Sequence, residues 1–146
     1  MRDLGPVLDF MSALWALDHA LQSASKRMEA RLGVTAPQRL VVRIVGRFPE
    51  LSPGEVADIL HLHPSTLTGI LKRLEERSLL VRRPDPVDAR RSLLRLTPKG
   101  RGVDAMRTGT VETAVRRALR RLPATSVRAA RDAALTLSEE LGRIGG

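Results

Sequence analysis

The sequence contains no cysteine and only three aromatic residues, two phenylalanines and one tryptophan, among its 146 residues. Without cysteine, neither a disulfide scaffold nor a thiol-based redox switch can form. The shortage of aromatic rings disfavours modules that bind RNA or single-stranded DNA, because these stack unpaired bases on ring side chains. Three histidines offer little material for a metal cluster. We therefore expect no metal and no cofactor.

Long apolar runs are also missing. No stretch approaches the roughly 18 residues of a membrane span, and the N-terminus lacks the pattern of a signal peptide. These two observations predict a cytoplasmic protein without a membrane partner. The chain also has no glycine-rich phosphate loop, no nucleophile elbow and no convergent set of histidines and carboxylates, so we do not expect an enzyme.

Positive charge, in contrast, is abundant and clustered. Residues 63–101 contain ten lysines and arginines against four acidic residues, and so hold +6 of the formal net charge of +9. Such clustering is typical of proteins that bind the phosphates of duplex DNA. For arginines outside this cluster, the alternative of a solvated helix face stays open.

The stretch from Ser52 to Lys99 has the pattern of a winged helix-turn-helix. Ser52 and Pro53, followed by Glu55, predict a capping box that begins a short helix. Pro64 separates this helix from a second one, whose apolar residues at positions 67, 70, 71 and 74 form a buried stripe. Two β-compatible segments on either side of the turn-rich residues 84–88 predict a hairpin wing.

The polar face of the second helix suits insertion into a major groove. Short polar residues early in a helix can approach base edges, while cations one or two turns later reach phosphates. This pattern predicts two kinds of DNA contact. The residues near base edges are Ser65, Thr66, Thr68 and Gly69, and the residues nearer phosphate are Lys72 and Arg73. The alternative for Ser65 and Thr66 is that they only cap the helix.

Arg90 is the strongest single candidate of the predicted wing. An arginine at the tip of a hairpin can enter a narrow minor groove, where the negative potential is enhanced. Arg82, Arg83 and Arg91 are predicted to contact phosphates with lower specificity. The alternative is an exposed turn in which Asp88 and Arg90 form an ordinary ion pair.

Amphipathic segments flank this stretch. Residues 6–32 predict a helix that is too long for a small lobe to cover, so part of its apolar face is expected to meet a second subunit. Residues 98–122 predict another long helix, weakest in its glycine-containing first half, and residues 126–143 predict a last one. The segment between the first helix and Ser52 predicts a scaffold helix with a buried stripe of Pro37, Leu40, Val41, Ile44, Val45 and Phe48.

These features resemble the MarR family of bacterial transcriptional regulators. Asp88-Ala89-Arg90 is similar to the D-x-R motif of that family's wing, and Leu96-Thr97 with Gly100 is similar to the L-T-x-x-G that follows it. The resemblance covers almost the whole chain. It implies a mainly α fold with a small β-hairpin wing and one MarR-type domain over residues 1–146. The winged helix-turn-helix lobe would span residues 35–100, with dimerisation helices at 1–34 and 101–146.

The resemblance also implies a function. The family suggests a homodimeric, sequence-specific regulator of double-stranded DNA, acting as a ligand-responsive repressor on a near-palindromic operator. Asp88 would hold Arg90 in position. A small aromatic or anionic effector would bind between the dimerisation helices and the lobe, with candidate residues Met11, Trp15, His19, Arg43 and Phe48, although these could simply be core residues.

Two departures from the family pattern concern Gly69 and Ser78. Gly69 stands where the family often carries a larger polar residue. Ser78 stands where it usually carries glycine, so a left-handed backbone there would be strained by about 1 kcal/mol. Two other classes also stay open. One is an effector-independent or architectural DNA-binding protein, and the other is a winged helix reused for protein contacts.

Overall fold

The structure is a computed structural model that describes residues 2–144. Over these residues the chain forms seven helices and one two-stranded antiparallel sheet, which confirms the predicted mainly α fold with a hairpin. In chain order the elements are α1 (Gly5–Leu32), α2 (Ala36–Arg47), α3 (Pro53–Leu60), α4 (Pro64–Glu76), β1 (Leu80–Pro84), β2 (Ser92–Leu96), α5 (Pro98–Ala105), α6 (Val111–Leu119) and α7 (Ala124–Gly142).

Hydroxyl side chains cap the start of three helices. Thr35 and Gln38 form a reciprocal capping box at α2, and the hydroxyl of Thr97 accepts the Gly100 N–H at α5 (3.0 Å). At α3 the Ser52 hydroxyl accepts the Glu55 N–H (3.2 Å), but the second half of the predicted capping box is absent. The Glu55 carboxylate pairs with Arg91 instead, since a guanidinium is a stronger partner for it than a backbone amide.

The chain divides into a compact unit that ends at Val111 and a second that begins at Glu112. In the first unit, α2 lies at the centre, in contact with α1, α3, α4, α5 and β2. Valines, leucines and one alanine supply its core, as expected for a chain poor in aromatic residues. The core residues are Val34, Val41, Val42, Val45, Val56, Ala57, Leu67, Leu71, Leu74, Leu79, Leu80, Leu94, Leu96 and Val103.

The predicted stripe of α2 is only partly correct. Val41 and Val45 are buried, but Leu40 and Phe48 are 50% and 46% exposed, and Pro37 is also exposed. Arg39 takes a buried place instead, only 2% exposed. Its guanidinium donates to the carbonyl oxygens of Val103 (2.5 Å) and Met106 (2.6 Å) at the end of α5. The charge is tolerated there because it meets backbone carbonyls at a helix C-terminus.

The single helix predicted over residues 98–122 is wrong. The chain leaves helical geometry after Ala105 and resumes it at Val111. Met106 is extended, and Gly109 has φ +77°, a left-handed conformation that glycine adopts without steric penalty. The Arg39 guanidinium also occupies carbonyls at the end of α5, which favours termination there. Pro123 accordingly ends no long helix but occupies the N-cap of α7.

Much apolar surface remains uncovered in the single chain. Met28 is the one buried residue of α1, while Val7, Leu8, Trp15 and Leu17 are 56–70% exposed. Apolar side chains are also uncovered in the second unit, because neither α6 nor α7 has a buried residue within the described part of the chain. Contiguous exposed apolar surface of this kind marks an interaction site.

Candidate nucleic-acid interface

Helices α3 and α4 form the helix-turn-helix. His61 ends α3 in a left-handed conformation (φ +53°), and the N–H of Leu62 donates to the Ala57 carbonyl (3.0 Å) across the turn. His63 then caps α4, because its ring nitrogen Nδ1 accepts the Ser65 N–H at 3.1 Å. Sequence reasoning missed this cap, since histidine is not among the preferred N-cap residues.

Helix α4 turns its polar face to solvent. Leu67, Leu71 and Leu74 are buried, whereas the six predicted contact residues of this helix are all exposed. Two of the hydroxyls have local partners: Ser65 Oγ lies 2.7 Å from His63 Nδ1, and Thr68 Oγ1 donates to the Pro64 carbonyl (2.9 Å). A Cβ at Gly69 would meet nothing within 4 Å, so the surface is flat and open there.

Strands β1 and β2 form the wing, with pairs running from Leu80–Leu96 to Pro84–Ser92. Its tip is closed by the Asp85 N–H, which donates to the Arg91 carbonyl (2.8 Å), and by the Arg91 N–H, which donates to the Asp88 carbonyl (2.9 Å). The wing therefore has a defined tip that projects into solvent, where Val87 is 95% exposed.

Arg90 is at this tip, and its side chain is 91% exposed. Its guanidinium donates to both carboxylate oxygens of Asp88, at 3.1 and 3.3 Å, and its backbone N–H also donates to Asp88 (3.1 Å). These bonds, the side-chain bond first and the backbone bond second, hold the pKa of Asp88 below its ordinary value. The carboxylate is thus ionised at neutral pH and orients a guanidinium that faces water.

The other wing arginines have carboxylate partners from outside the hairpin tip. Arg82 pairs with Glu75 of α4, and Arg91 pairs with Glu55 of α3. Arg83 pairs with Glu50, which also accepts from Arg95 at 2.6 Å. Sequence reasoning missed these three glutamates, because each pair joins different elements and no local pattern signals it. In contrast, Lys72 and Arg73 form no ion pair within residues 2–144.

The base of the wing explains the L-T-x-x-G pattern. Thr97 N–H donates to the Leu79 carbonyl (3.1 Å), and Thr97 Oγ1 donates to the Ser78 carbonyl (2.6 Å). Gly100 is buried with its α-carbon so near the Leu79 backbone that a Cβ there would clash. Ser78 itself has φ +59°, so the left-handed conformation is kept without glycine.

Three of the predicted effector residues lie on α1, one lies on α2 and one directly follows α2. Met11, Trp15 and His19 are exposed on α1. Arg43 pairs with Asp104 (2.8 Å), and Phe48 lies beneath the Arg47 guanidinium, 5.7 Å from its ring centre. None of the five lines the groove of about 550 Å³ between α2, β2 and α5, which is formed by Val45, Gly46, Pro49, Arg95, Leu96, Arg101, Asp104, Ala105 and Arg107.

Residues 2–144 contain neither a candidate metal site nor a candidate membrane span. No group of three or more histidine or acidic side chains there has a geometry that could hold a metal ion. No helix in residues 2–144 has the length and apolar character needed to span a membrane.

Comparison with known proteins decides the family. The model of the MarR family matches residues 32–91. The HTH-type transcriptional repressor Rv2887 of Mycobacterium tuberculosis is 34% identical over 98 residues, which make up 66% of this chain and 70% of that protein. The chain belongs to the MarR family. This MarR-family protein has the winged-helix fold of its structural neighbours, which are MarR regulators.

Other relatives extend this picture. The regulator TtmR of Methylorubrum extorquens is 37% identical over 91 residues, 62% of this chain and 47% of that protein. The organic hydroperoxide resistance regulator of Bacillus subtilis is 30% identical over 87 residues, 60% of this chain and 59% of that protein. The MarR-family chain thus spans about half the length of these first curated relatives.

Solved structures match over nearly the whole chain. PcaV of Streptomyces coelicolor, in complex with its natural ligand, has a TM-score of 0.74 at 26% identity, covering 95% of this chain and 98% of that one. CouR of Rhodococcus jostii, bound to p-coumaroyl-CoA, has a TM-score of 0.74 at 26% identity, covering 92% and 95%. MepR of S. aureus in its DNA complex reaches 0.74 at 16% identity, covering 90% and 97%, which shows a common fold alone.

Proposed function

We propose that this protein is a homodimeric, sequence-specific repressor that binds a near-palindromic operator and releases it when a small aromatic or anionic compound binds. The observation that carries the DNA-binding part is the combination of an exposed polar face on α4 with a wing-tip arginine that Asp88 orients toward solvent. An operator on promoter DNA would place the protein's action in the cytoplasm.

In the proposed complex, α4 enters the major groove. Thr66 and Gly69 would approach base edges most closely, because the hydroxyls of Ser65 and Thr68 already have local partners. Lys72 and Arg73, further along the same exposed face, would bind phosphates. Arg90 would enter the adjacent minor groove, with phosphate contacts from Arg82, Arg83 and Arg91 along the wing.

A homodimer is supported by the uncovered apolar side chains of α1 and by the absence of buried residues in α6 and α7. A second copy of the chain would cover these faces around a two-fold axis. Two α4 helices related by such an axis could lie about 34 Å apart, one turn of DNA, which is the spacing a near-palindromic operator requires.

For the effector we propose a site that the dimer completes, with Met11, Trp15 and His19 of α1 near Arg43 of α2 and Phe48 directly after it. Two observations support a small-molecule response. PcaV and CouR, each 26% identical to this chain, have been solved with bound ligands. The α1 residues are also exposed in the single chain, so a partner subunit would be needed to enclose them.

The decisive experiment measures the affinity of the full-length protein for promoter DNA adjoining its own gene and for a scrambled duplex, each at two salt concentrations. We expect the promoter duplex to bind about 10³-fold more tightly than the scrambled one, with both affinities falling as salt rises. Arg90→Ala should weaken promoter binding by about tenfold or more and reduce the salt dependence.

Arg27→Ala is the matched control, because it removes the same charge from an exposed position of α1. Equal, purely salt-driven binding of both duplexes would favour an architectural protein instead. No binding of either duplex would favour a winged helix that contacts proteins. Sedimentation measures whether the protein is a homodimer. A thermal-shift panel of phenolic and anionic compounds tests for an effector. If no compound raises the melting temperature, an effector-independent regulator is favoured.

A further inference from the structure

Glu50, just before α3, has an unusual backbone and an unusual set of partners. Its φ of +73° is in the left-handed region, which side-chain-bearing residues rarely adopt. Its N–H donates to the Leu94 carbonyl (2.9 Å), and the Leu94 N–H donates to the Leu51 carbonyl (2.8 Å). The segment at Glu50 is therefore hydrogen-bonded to β2, and it fastens the wing to the rest of the lobe.

The Glu50 side chain joins both strands of the wing. One carboxylate oxygen, Oε1, accepts from Arg83 on β1 and from Arg95 on β2. Arg83 pairs across the hairpin with Leu93, two residues before Arg95, so the two guanidinium groups project from the same face as diagonal neighbours. Two like charges in that arrangement repel each other, and the carboxylate between them offsets this repulsion.

A glycine would adopt the Glu50 backbone more easily, but it would supply no carboxylate. We propose that Glu50 is a positioning residue for DNA recognition, which holds the wing against the lobe and, by pairing with Arg83 and Arg95, weakens their binding to phosphate on DNA of any sequence. This inference rests on the proposed function. Non-specific binding depends almost entirely on lysine and arginine contacts to phosphate. Pairing of these two guanidinium groups with the Glu50 carboxylate should therefore weaken non-specific binding more than it weakens operator binding.

The test compares Glu50→Gln with Glu76→Gln in the full-length protein. Glu76 is an exposed carboxylate on α4 without an ion pair in the described residues, so its variant removes the same charge without releasing an arginine. The assay measures dissociation constants for the promoter duplex and a scrambled duplex across a salt series. It reports the ratio of the two affinities and the slope of log affinity against log salt.

With Glu50→Gln we expect tighter binding of the scrambled duplex, a specificity ratio lowered about tenfold, and a salt slope steeper by roughly one to two per protomer. Glu76→Gln should change both affinities alike and leave the ratio unchanged. Glu50→Gly removes the carboxylate but suits the left-handed backbone, so it should lose specificity as Glu50→Gln does while keeping the melting temperature of the wild type.

Specificity ratios of both Glu50 variants within twofold of the wild-type ratio would overturn the inference. So would an equal fall of the ratio in Glu76→Gln, because the effect would then be one of charge alone. If the wild-type protein shows no preference for the promoter duplex, the regulator proposal itself fails and this inference fails with it. A preference in the wild type that persists in the variants refutes only the role of Glu50.

Discussion

Gly100 at the start of α5 is the position where one added methyl group should do most damage. A Cβ there would lie well under 3.0 Å from the backbone carbonyl oxygen of Leu79 and 3.0 Å from its carbonyl carbon. Backbone atoms cannot rotate away, and the same oxygen accepts the Thr97 N–H at 3.1 Å. Gly100→Ala must therefore push α5 away from the junction between α4 and the wing.

The size of the effect follows from three contributions. Overpacking a buried site costs about 1–3 kcal/mol, and a weakened backbone hydrogen bond costs about 1 kcal/mol. Alanine regains about 1 kcal/mol of helix propensity. We expect Gly100→Ala to lower the free energy of unfolding by about 1–3 kcal/mol, which corresponds to a melting temperature lower by roughly 3–10 °C for a chain of this length.

Gly102→Ala is the matched control, because a Cβ at Gly102 in the same helix would meet nothing within 4 Å. It should raise the free energy of unfolding by up to about 1 kcal/mol through helix propensity. Both variants are measured by thermal and urea unfolding at one protein concentration, since an oligomer's melting temperature depends on it. Equal stability of the two variants would refute the close packing of Gly100 on Leu79.

Three further predictions concern Asp88, Ser78 and Arg39. Arg90→Ala should raise the pKa of Asp88 toward 3.8, because the Arg90 side chain is the main cause of its lowered value. An unchanged NMR titration of that carboxyl would contradict this. A carboxyl group whose pKa is lowered by folding stabilises the folded state above its unfolded pKa of 3.8, and this stabilisation is lost as the pH falls through the folded pKa. The wing pair should therefore be intact at neutral pH. Ser78→Gly should raise the free energy of unfolding by up to about 1 kcal/mol without changing DNA affinity, because it relieves the left-handed backbone at φ +59°. Arg39→Met should lower it by about 2–4 kcal/mol in urea unfolding, because two carbonyls at the end of α5 lose their buried donor. A loss below about 0.5 kcal/mol would be typical of a surface substitution. It would show that those carbonyls find other partners.

The sequence alone determined the features that depend on neighbours along the chain. Helix starts at Thr35, Ser52 and Thr97 follow from a side-chain acceptor and a proline one or two residues after it, and both act within one turn. The buried stripe of α4 follows from leucines repeated at helical spacing. The helical spacing of these leucines also places the six contact candidates of α4 on its exposed face. The wing follows from turn residues between two β-compatible segments.

Only the tertiary structure decided the features that depend on residues distant in sequence. The break after Ala105 is favoured by Arg39, which donates to carbonyls more than 60 positions away. The restraint of Arg83 and Arg95 requires Glu50, which is 33 and 45 positions from them. Burial of a charge and pairing across elements are properties of the assembled lobe, where long-range contacts override local pattern. That is the physical reason why Arg39 reads as a surface residue in the sequence and is part of the core in the fold.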